Sequence, residues 1–131
     1  PLGRAHTVRA GSDVTLVSWS RQVQACAQAA EQLAAQGVQA ELIDLRTIWP
    51  WDRDAVLASA ARTGRLLVVH EAIQVAGFGA EIAATVAEHT GAKVARLGAP
   101  RIPVGYAQVL EDEARIGAGQ IVAATQQLLQ R

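Results

Sequence analysis

The chain has 131 residues, half of them hydrophobic, and its 12 acidic side chains cancel its 12 basic ones. That length supports one domain around one sizeable core, and the balanced charge gives no reason to expect nucleic acid or an anionic membrane as partner. The one cysteine, Cys26, excludes an internal disulfide and any cysteine-based metal cluster.

Alanine occurs 27 times and phenylalanine once, so the helices are expected to pack closely through small faces. Eleven of the twelve basic residues are arginine, which carries no functional message by itself. No segment reaches the roughly 18 apolar residues that a membrane-spanning helix requires. Nor is there a basic stretch leading into an apolar run of the secretory type, so a cytoplasmic location is the default expectation. The chain opens on Pro1-Leu2-Gly3 and lacks methionine, which points to a fragment of a longer polypeptide.

In chain order, the first element expected is a short edge strand around residues 5–8. Residues 13–18 are β-branched and apolar, as in a strand covered on both faces. Ser20 offers an N-cap for a helix over residues 21–36, in which Val23, Cys26, Ala30 and Leu33 recur at helical spacing. Gly37 ends that helix. A second core strand spans residues 39–45, and Pro50 and Asp52 open a helix that runs through Ala61 and ends at Thr63-Gly64.

A third core strand covers residues 65–70, a loop leads to a helix over 79–89 closed by Gly91, and a shorter strand follows at 94–97. Residues 98–119, interrupted by Pro100 and Pro103, show no period; so long an irregular stretch in a compact domain implies function or an interface. Ile121, Val122, Thr125, Leu128 and Leu129 form one face of a terminal helix. Alternating apolar strands and helices predict a mostly parallel sheet with helices on both faces.

Open parallel sheets bind ligands beyond the carboxyl ends of their strands. Here those ends carry Ser18-Trp19-Ser20, Arg46-Thr47, His70-Glu71 and Arg101. One reading is an anion-binding crevice, with arginines and helix N-termini supplying positive potential; the other is capping serines and arginines paired with Asp44 or Glu71. His70 has the pKa range of a general base. Adjacent strand residues face opposite ways, however, which favours a structural role for the His70-Glu71 pair.

Gly77-Phe78-Gly79 is neither G-x-G-x-x-G nor a P-loop, and its glycines are read as allowing tight turns and close helix–sheet approach. His6, His70 and His89 are scattered, so no metal is expected. G-x-S-x-G is absent, and Cys26 within a helix is a poor nucleophile. Trp49 and Trp51 flank Pro50 at a turn and read equally as loop packing or as interface anchors.

Several segments together carry a family resemblance that extends over nearly the whole chain. They are Pro1-Leu2-Gly3, Gly11-Ser12-Asp13-Val14-Thr15-Leu16-Val17, Asp44-Leu45-Arg46-Thr47-Ile48 with Pro50-Trp51-Asp52, Thr63-Gly64-Arg65, and His70-Glu71-Ala72 with Gly77-Phe78-Gly79-Ala80-Glu81-Ile82. The combination resembles the C-terminal domain of the transketolase superfamily, with the nearest likeness to β subunits of thiamine-diphosphate-dependent 2-oxo acid dehydrogenases. Pro50-Trp51-Asp52 and His70-Glu71-Ala72 look slightly more like the branched-chain enzymes than the pyruvate dehydrogenases.

The resemblance implies a three-layer α/β/α domain with a five-stranded, mostly parallel sheet and one antiparallel edge strand, spanning residues 1–131. It also implies a parent oxidoreductase that oxidatively decarboxylates a 2-oxo acid and passes the acyl group to lipoamide within a multienzyme complex. The implied partners are the rest of the β subunit, an α subunit, a second β subunit and, in some members, the dihydrolipoyl acyltransferase.

Thiamine diphosphate and magnesium belong to the parent, and this segment is expected to hold neither and to perform no catalysis. Arg46, His70, Glu71, Arg101, Trp49 and Trp51 are the residues expected at an anion site or an interface. One departure stands out: related β subunits read Asp-Thr-Pro-x-Pro-Tyr where this chain has Arg101-Ile102-Pro103-Val104-Gly105-Tyr106. Two other readings stay open, a small-anion-binding regulatory domain using Arg46, His70 and Arg101, and the same domain from a transketolase or a deoxyxylulose-phosphate synthase.

Overall fold

The computed structural model describes residues 2–73, 77–99 and 116–131. The elements are β1 (His6–Arg9), β2 (Val14–Ser18), α1 (Gln22–Ala35), β3 (Ala40–Asp44), α2 (Arg53–Thr63), β4 (Arg65–Ile73), α3 (Phe78–His89), β5 (Lys93–Ala99) and α4 (Ala118–Leu129). The sheet order is β1-β3-β2-β4-β5. β1 runs antiparallel to β3, and the other pairs are parallel, so the expected architecture is the one observed.

Alternation along the central strands assigns the two faces. Val14 and Leu16 of β2, Leu42 of β3, and Leu67 and Val69 of β4 pack with Cys26, Ala30 and Leu33 of α1 and with Ile121 and Leu128 of α4. Val17, Ile43, Leu66 and Val68 point the other way, against Val56 and Ala60 of α2 and Ile82 and Val86 of α3. All five residues of β2 are buried, which is why its sequence reads as a continuous apolar run rather than an alternating one.

A polar cluster crosses the second face. Glu41 is buried and accepts hydrogen bonds from Ser59 Oγ at 2.7 Å, from the Arg62 guanidinium, and from the Gly11 N–H at 3.3 Å. The Thr15 hydroxyl lies 2.7 Å from Ser59 Oγ and 2.8 Å from Thr63 Oγ1, so α2 is tied to β2 and β3 by polar bonds as well as by packing. Burial by itself raises the Glu41 pKa. The bonds from Ser59, Arg62 and Gly11, with the Arg62 charge, outweigh it and hold the carboxyl below its ordinary value.

Asp52 caps α2 as expected, accepting from the Ala55 N–H at 3.2 Å, and its other oxygen accepts from the Ala5 N–H at 2.9 Å. Gly37 and Gly64 follow α1 and α2 in the left-handed region, at φ 85° and 79°. Ser20 is a correction: it stands outside the helix at φ 60°, and α1 begins at Gln22 without a side-chain cap. The tight exit from β2 uses the Ser20 carbonyl, which accepts from the Val23 N–H at 3.3 Å, rather than its hydroxyl.

Gly91 is not the cap of α3 either. Thr90 takes that place, its hydroxyl donating to the Val86 carbonyl at 2.8 Å. β4 continues to Ile73 and β5 to Ala99, both beyond their expected ends, because the two strands resume pairing at Ile73 and Ala99 after an irregularity. The terminal helix starts at Ala118. Of the 98–119 stretch, residues 100–115 lie outside the described residues, and with them Arg101 and the divergent segment through Tyr106.

Candidate functional site

Because β2, β3 and β4 are parallel and adjacent, Ser18, Asp44 and His70 lie at the same end of the sheet. The loops that leave β2 and β3 run together there, joined by a hydrogen bond from the Leu45 N–H to the Ser18 carbonyl at 2.9 Å. The Ser18 hydroxyl donates to the Val69 carbonyl at 2.7 Å, fastening β2 to β4. Ser20 and Arg46, each just past a strand end, hold φ values of 60° and 63°. Left-handed backbone at two non-glycine residues signals surroundings that over-determine these loops.

His70 is completely buried on the α2/α3 face. Its ring stacks on Trp19, with centroids 5.5 Å apart and an interplanar angle of 17°. Trp19 meets Phe78 edge-on at 6.0 Å, and Phe78 meets Trp51 edge-on at 6.1 Å. Four rings from two loops, the start of α3 and a strand thus form one continuous series, in geometries that aromatic quadrupoles favour.

Gly79 backs the histidine: a Cβ there would lie 2.6 Å from His70 Nε2. The glycine therefore allows the close helix–sheet approach expected of it.

The remaining site residues separate. Glu71 emerges on the opposite side from His70, half exposed, with its carboxylate 3.9 Å from Arg21 Nε. An exposed pair at that distance contributes little to stability. Arg46 is exposed, its backbone N–H donating to Asp44 Oδ1 at 3.0 Å. The two tryptophans beside Pro50 divide, Trp51 packing into the core and Trp49 standing 79% exposed. Arg101 falls outside the described residues.

Trp19 and Phe78, which complete the ring series, were not singled out from sequence. Their only signals were an aromatic at a strand exit and another between two glycines.

Cys26 sits within the first core face, where burial pushes its thiol up to about 12, a hydrogen bond with Ser18 opposing the shift. Such a thiol supplies almost no thiolate near neutrality and does not act as a nucleophile. Among the described residues no group of three or more His, Cys, Asp or Glu side chains is arranged to hold a metal. No helix among them is long and apolar enough to cross a membrane.

The family model "Transketolase, C-terminal domain" matches residues 3–121. The chain belongs to that family. Over 135 aligned residues, covering 100% of this domain, it is 40% identical to the mitochondrial pyruvate dehydrogenase E1 component subunit beta of Dictyostelium discoideum. Over 88 residues, 67% of the domain, it is 50% identical to the mitochondrial 2-oxoisovalerate dehydrogenase subunit beta 2 of Arabidopsis thaliana.

These stretches make up 38% and 25% of the two relatives' lengths, so the transketolase C-terminal domain seen here corresponds to a minor part of each. Among solved structures, a split-gene transketolase described as an inactive β4 tetramer superposes with a TM-score of 0.91. It is 28% identical, and the match covers 99% of this chain and 43% of that one.

Proposed function

We propose that this chain is the C-terminal assembly domain of the β subunit of a thiamine-diphosphate-dependent 2-oxo acid dehydrogenase. The observation that carries the reading is the 40% identity, across the whole domain, to a pyruvate dehydrogenase β subunit. The parent enzyme decarboxylates a 2-oxo acid oxidatively and delivers the acyl group to lipoamide. Thiamine diphosphate supplies the carbanion chemistry when bound. The proposal assigns the cofactor and its magnesium to the rest of the parent. The α subunit, a second β subunit and the dihydrolipoyl acyltransferase complete the proposed assembly.

Pyruvate and branched-chain 2-oxo acids are the proposed substrates. The higher local identity to the 2-oxoisovalerate enzyme supports the branched-chain class, and the longer match supports pyruvate. Action in the cytoplasm of a bacterial host belongs to the same proposal, although both curated relatives are named as mitochondrial proteins.

The test is co-purification of the native polypeptide with its partners, followed by thiamine-diphosphate-dependent reduction of an artificial electron acceptor on addition of each 2-oxo acid. A distinct α partner and turnover with a 2-oxo acid support the reading. A homomeric enzyme that transfers ketol groups between sugar phosphates refutes it in favour of a transketolase, the alternative that the split-gene structure favours.

A further inference from the structure

The corner where β4 and β5 begin carries a group of cations for which the described residues supply no counter-charge. Arg65 and Lys93 are Cα partners in the parallel β4–β5 pair. Neighbouring strands lie about 4.8 Å apart, and partnered side chains leave the sheet on the same face. That face is the one covered by α1 and α4, because Leu66 and Val94, the next residue on each strand, belong to the opposite core. The helix α4 ends over the same corner. Its Leu128 is buried in the first core, and Arg131 Nη1 lies 3.5 Å from the Val94 carbonyl oxygen, too far to occupy the guanidinium.

Among the described residues the ion pairs are Arg21–Glu71 and Arg62–Glu41, and Arg65, Lys93 and Arg131 take part in neither. Lys93 and Arg131 are exposed and stay hydrated. Arg65 is half-buried, and its Nε is shielded from solvent without a hydrogen-bond partner. A buried donor left unpaired costs free energy, and like charges side by side on adjacent strands repel. Arg131 alone would be explained by the carbonyl end of α4, which favours a cation. That account does not reach Arg65 and Lys93, which lie on strands.

We propose that Arg65, Lys93 and Arg131 form a binding site for a small oxyanion of the phosphate class. A planar guanidinium presents paired N–H donors that match two oxygens of one phosphate, and an ammonium adds a compact point charge. A phosphate seated between Arg65 and Lys93 removes their repulsion and offers the Arg65 guanidinium an acceptor. Three side chains meeting at one corner suit a small ligand. The chain's balanced charge provides no extended basic surface for nucleic acid or a membrane.

The site lies where β4 starts, at the other end of the sheet from Ser18, Asp44 and His70, so it is separate from the strand-end crevice. It uses residues of this domain alone and stands whichever parent enzyme carries them.

Lys93 is the one lysine of the 131 residues, so lysine acetylation within the domain reports on that position. The experiment treats the full native polypeptide with an N-hydroxysuccinimide ester of acetate at increasing inorganic phosphate. Sodium chloride at matched ionic strength is the control. Thiamine diphosphate and magnesium are present at saturation, so that a diphosphate site elsewhere in the polypeptide is already filled. Mass spectrometry of the peptide containing Lys93 gives the labelling rate.

Saturable protection by phosphate, not reproduced by chloride, is the expected result. Arg65→Gln should raise the half-protecting phosphate concentration by about tenfold or more, the scale of one hydrogen bond to a charged group. Arg4→Gln, ahead of β1 on the far edge of the sheet, should leave it unchanged. If Arg65→Gln does not fold, Arg131→Gln at an exposed position carries the same expectation. Absence of protection overturns the site, as does equal protection by chloride or protection that survives both substitutions. Protection by phosphatidylglycerol vesicles but not by free phosphate overturns it in favour of a lipid surface.

Discussion

Gly79→Ala tests the packing that closes the ring series. A methyl group at that position falls 2.6 Å from His70 Nε2, 2.7 Å from His70 Cδ2 and 3.3 Å from Val68 Cγ1. Two routes could relieve the clash. The imidazole could shift, but it is fully buried and stacked on Trp19. Alternatively α3 could lift, which would draw the fully buried Ile82 and Val86 away from the sheet. An extra methyl forced into a packed core costs about 1–3 kcal/mol.

Opposing that cost is the helix preference of alanine over glycine, at most about 1 kcal/mol and less in a first turn. The expected net loss is about 1–2 kcal/mol, or roughly 3–8 °C in Tm for a domain of this size. Urea titration and calorimetry read it directly. In a His70→Ala background the space exists, and Gly79→Ala should be neutral or stabilising, giving a coupling of about 1–2 kcal/mol in the double-mutant cycle. Equal stability of Gly79→Ala and the parent sequence, with His70 in place, would refute the close-approach argument.

Glu41 gives a pH signature. Its folded-state pKa is lowered, so its stabilisation is present above the unfolded glutamate value of about 4.3 and is lost as pH falls through the lower folded value. Glu41→Gln should lose about 1–3 kcal/mol at pH 7, and the two proteins' urea midpoints should draw together as pH falls from the unfolded value through the lower folded one; a constant gap down to acid pH would contradict this. With a thiol pKa of about 12, Cys26 should resist Ellman's reagent at pH 8 until denaturant is added. Stoichiometric labelling of the native protein within minutes would show that the site opens. Gly64→Ala, at φ 79°, should cost about 1 kcal/mol, whereas Gly91→Ala, with open space around it and no positive φ, should be neutral within about 0.5 kcal/mol. Thermal melts of the pair check the difference, and equal losses would contradict it.

The architecture was legible because the signals were local and mutually consistent. β2 and β4 are runs of branched residues too short for helices, and α1 carries Cys26, Ala30 and Leu33 on one stripe that ends at a glycine. What was not legible depended on tertiary contact. The lengths of β4 and β5 follow from their mutual pairing beyond the apolar core, which no single strand's composition encodes. The Ser20 cap failed because the exit from β2 fixes the backbone before the hydroxyl can reach the helix. Alternation did separate His70 from Glu71, since one faces the core and the other solvent. It could not reveal the partner rings, because Trp19 reaches His70 from another loop and Phe78 reaches Trp19 from the start of α3.

The two surfaces at the ends and edges of this sheet differ in how much of their binding capacity the domain uses on itself. Beyond β2 and β4, where an open parallel sheet ordinarily receives a ligand, the rings of His70, Trp19, Phe78 and Trp51 contact one another in series, and the strand ends are bonded to one another through Ser18 and Leu45. The β1 edge instead leaves Leu2, Ile48 and Trp49 to solvent. Burying one such side chain fully stabilises by about 1.5–3 kcal/mol, so the three together represent a sizeable share of the 5–15 kcal/mol by which a domain is typically stable. The exposed Leu2, Ile48 and Trp49 leave this part of the surface with free energy still to gain from contact. A domain whose proposed role is assembly would be expected to distribute its apolar surface in this way.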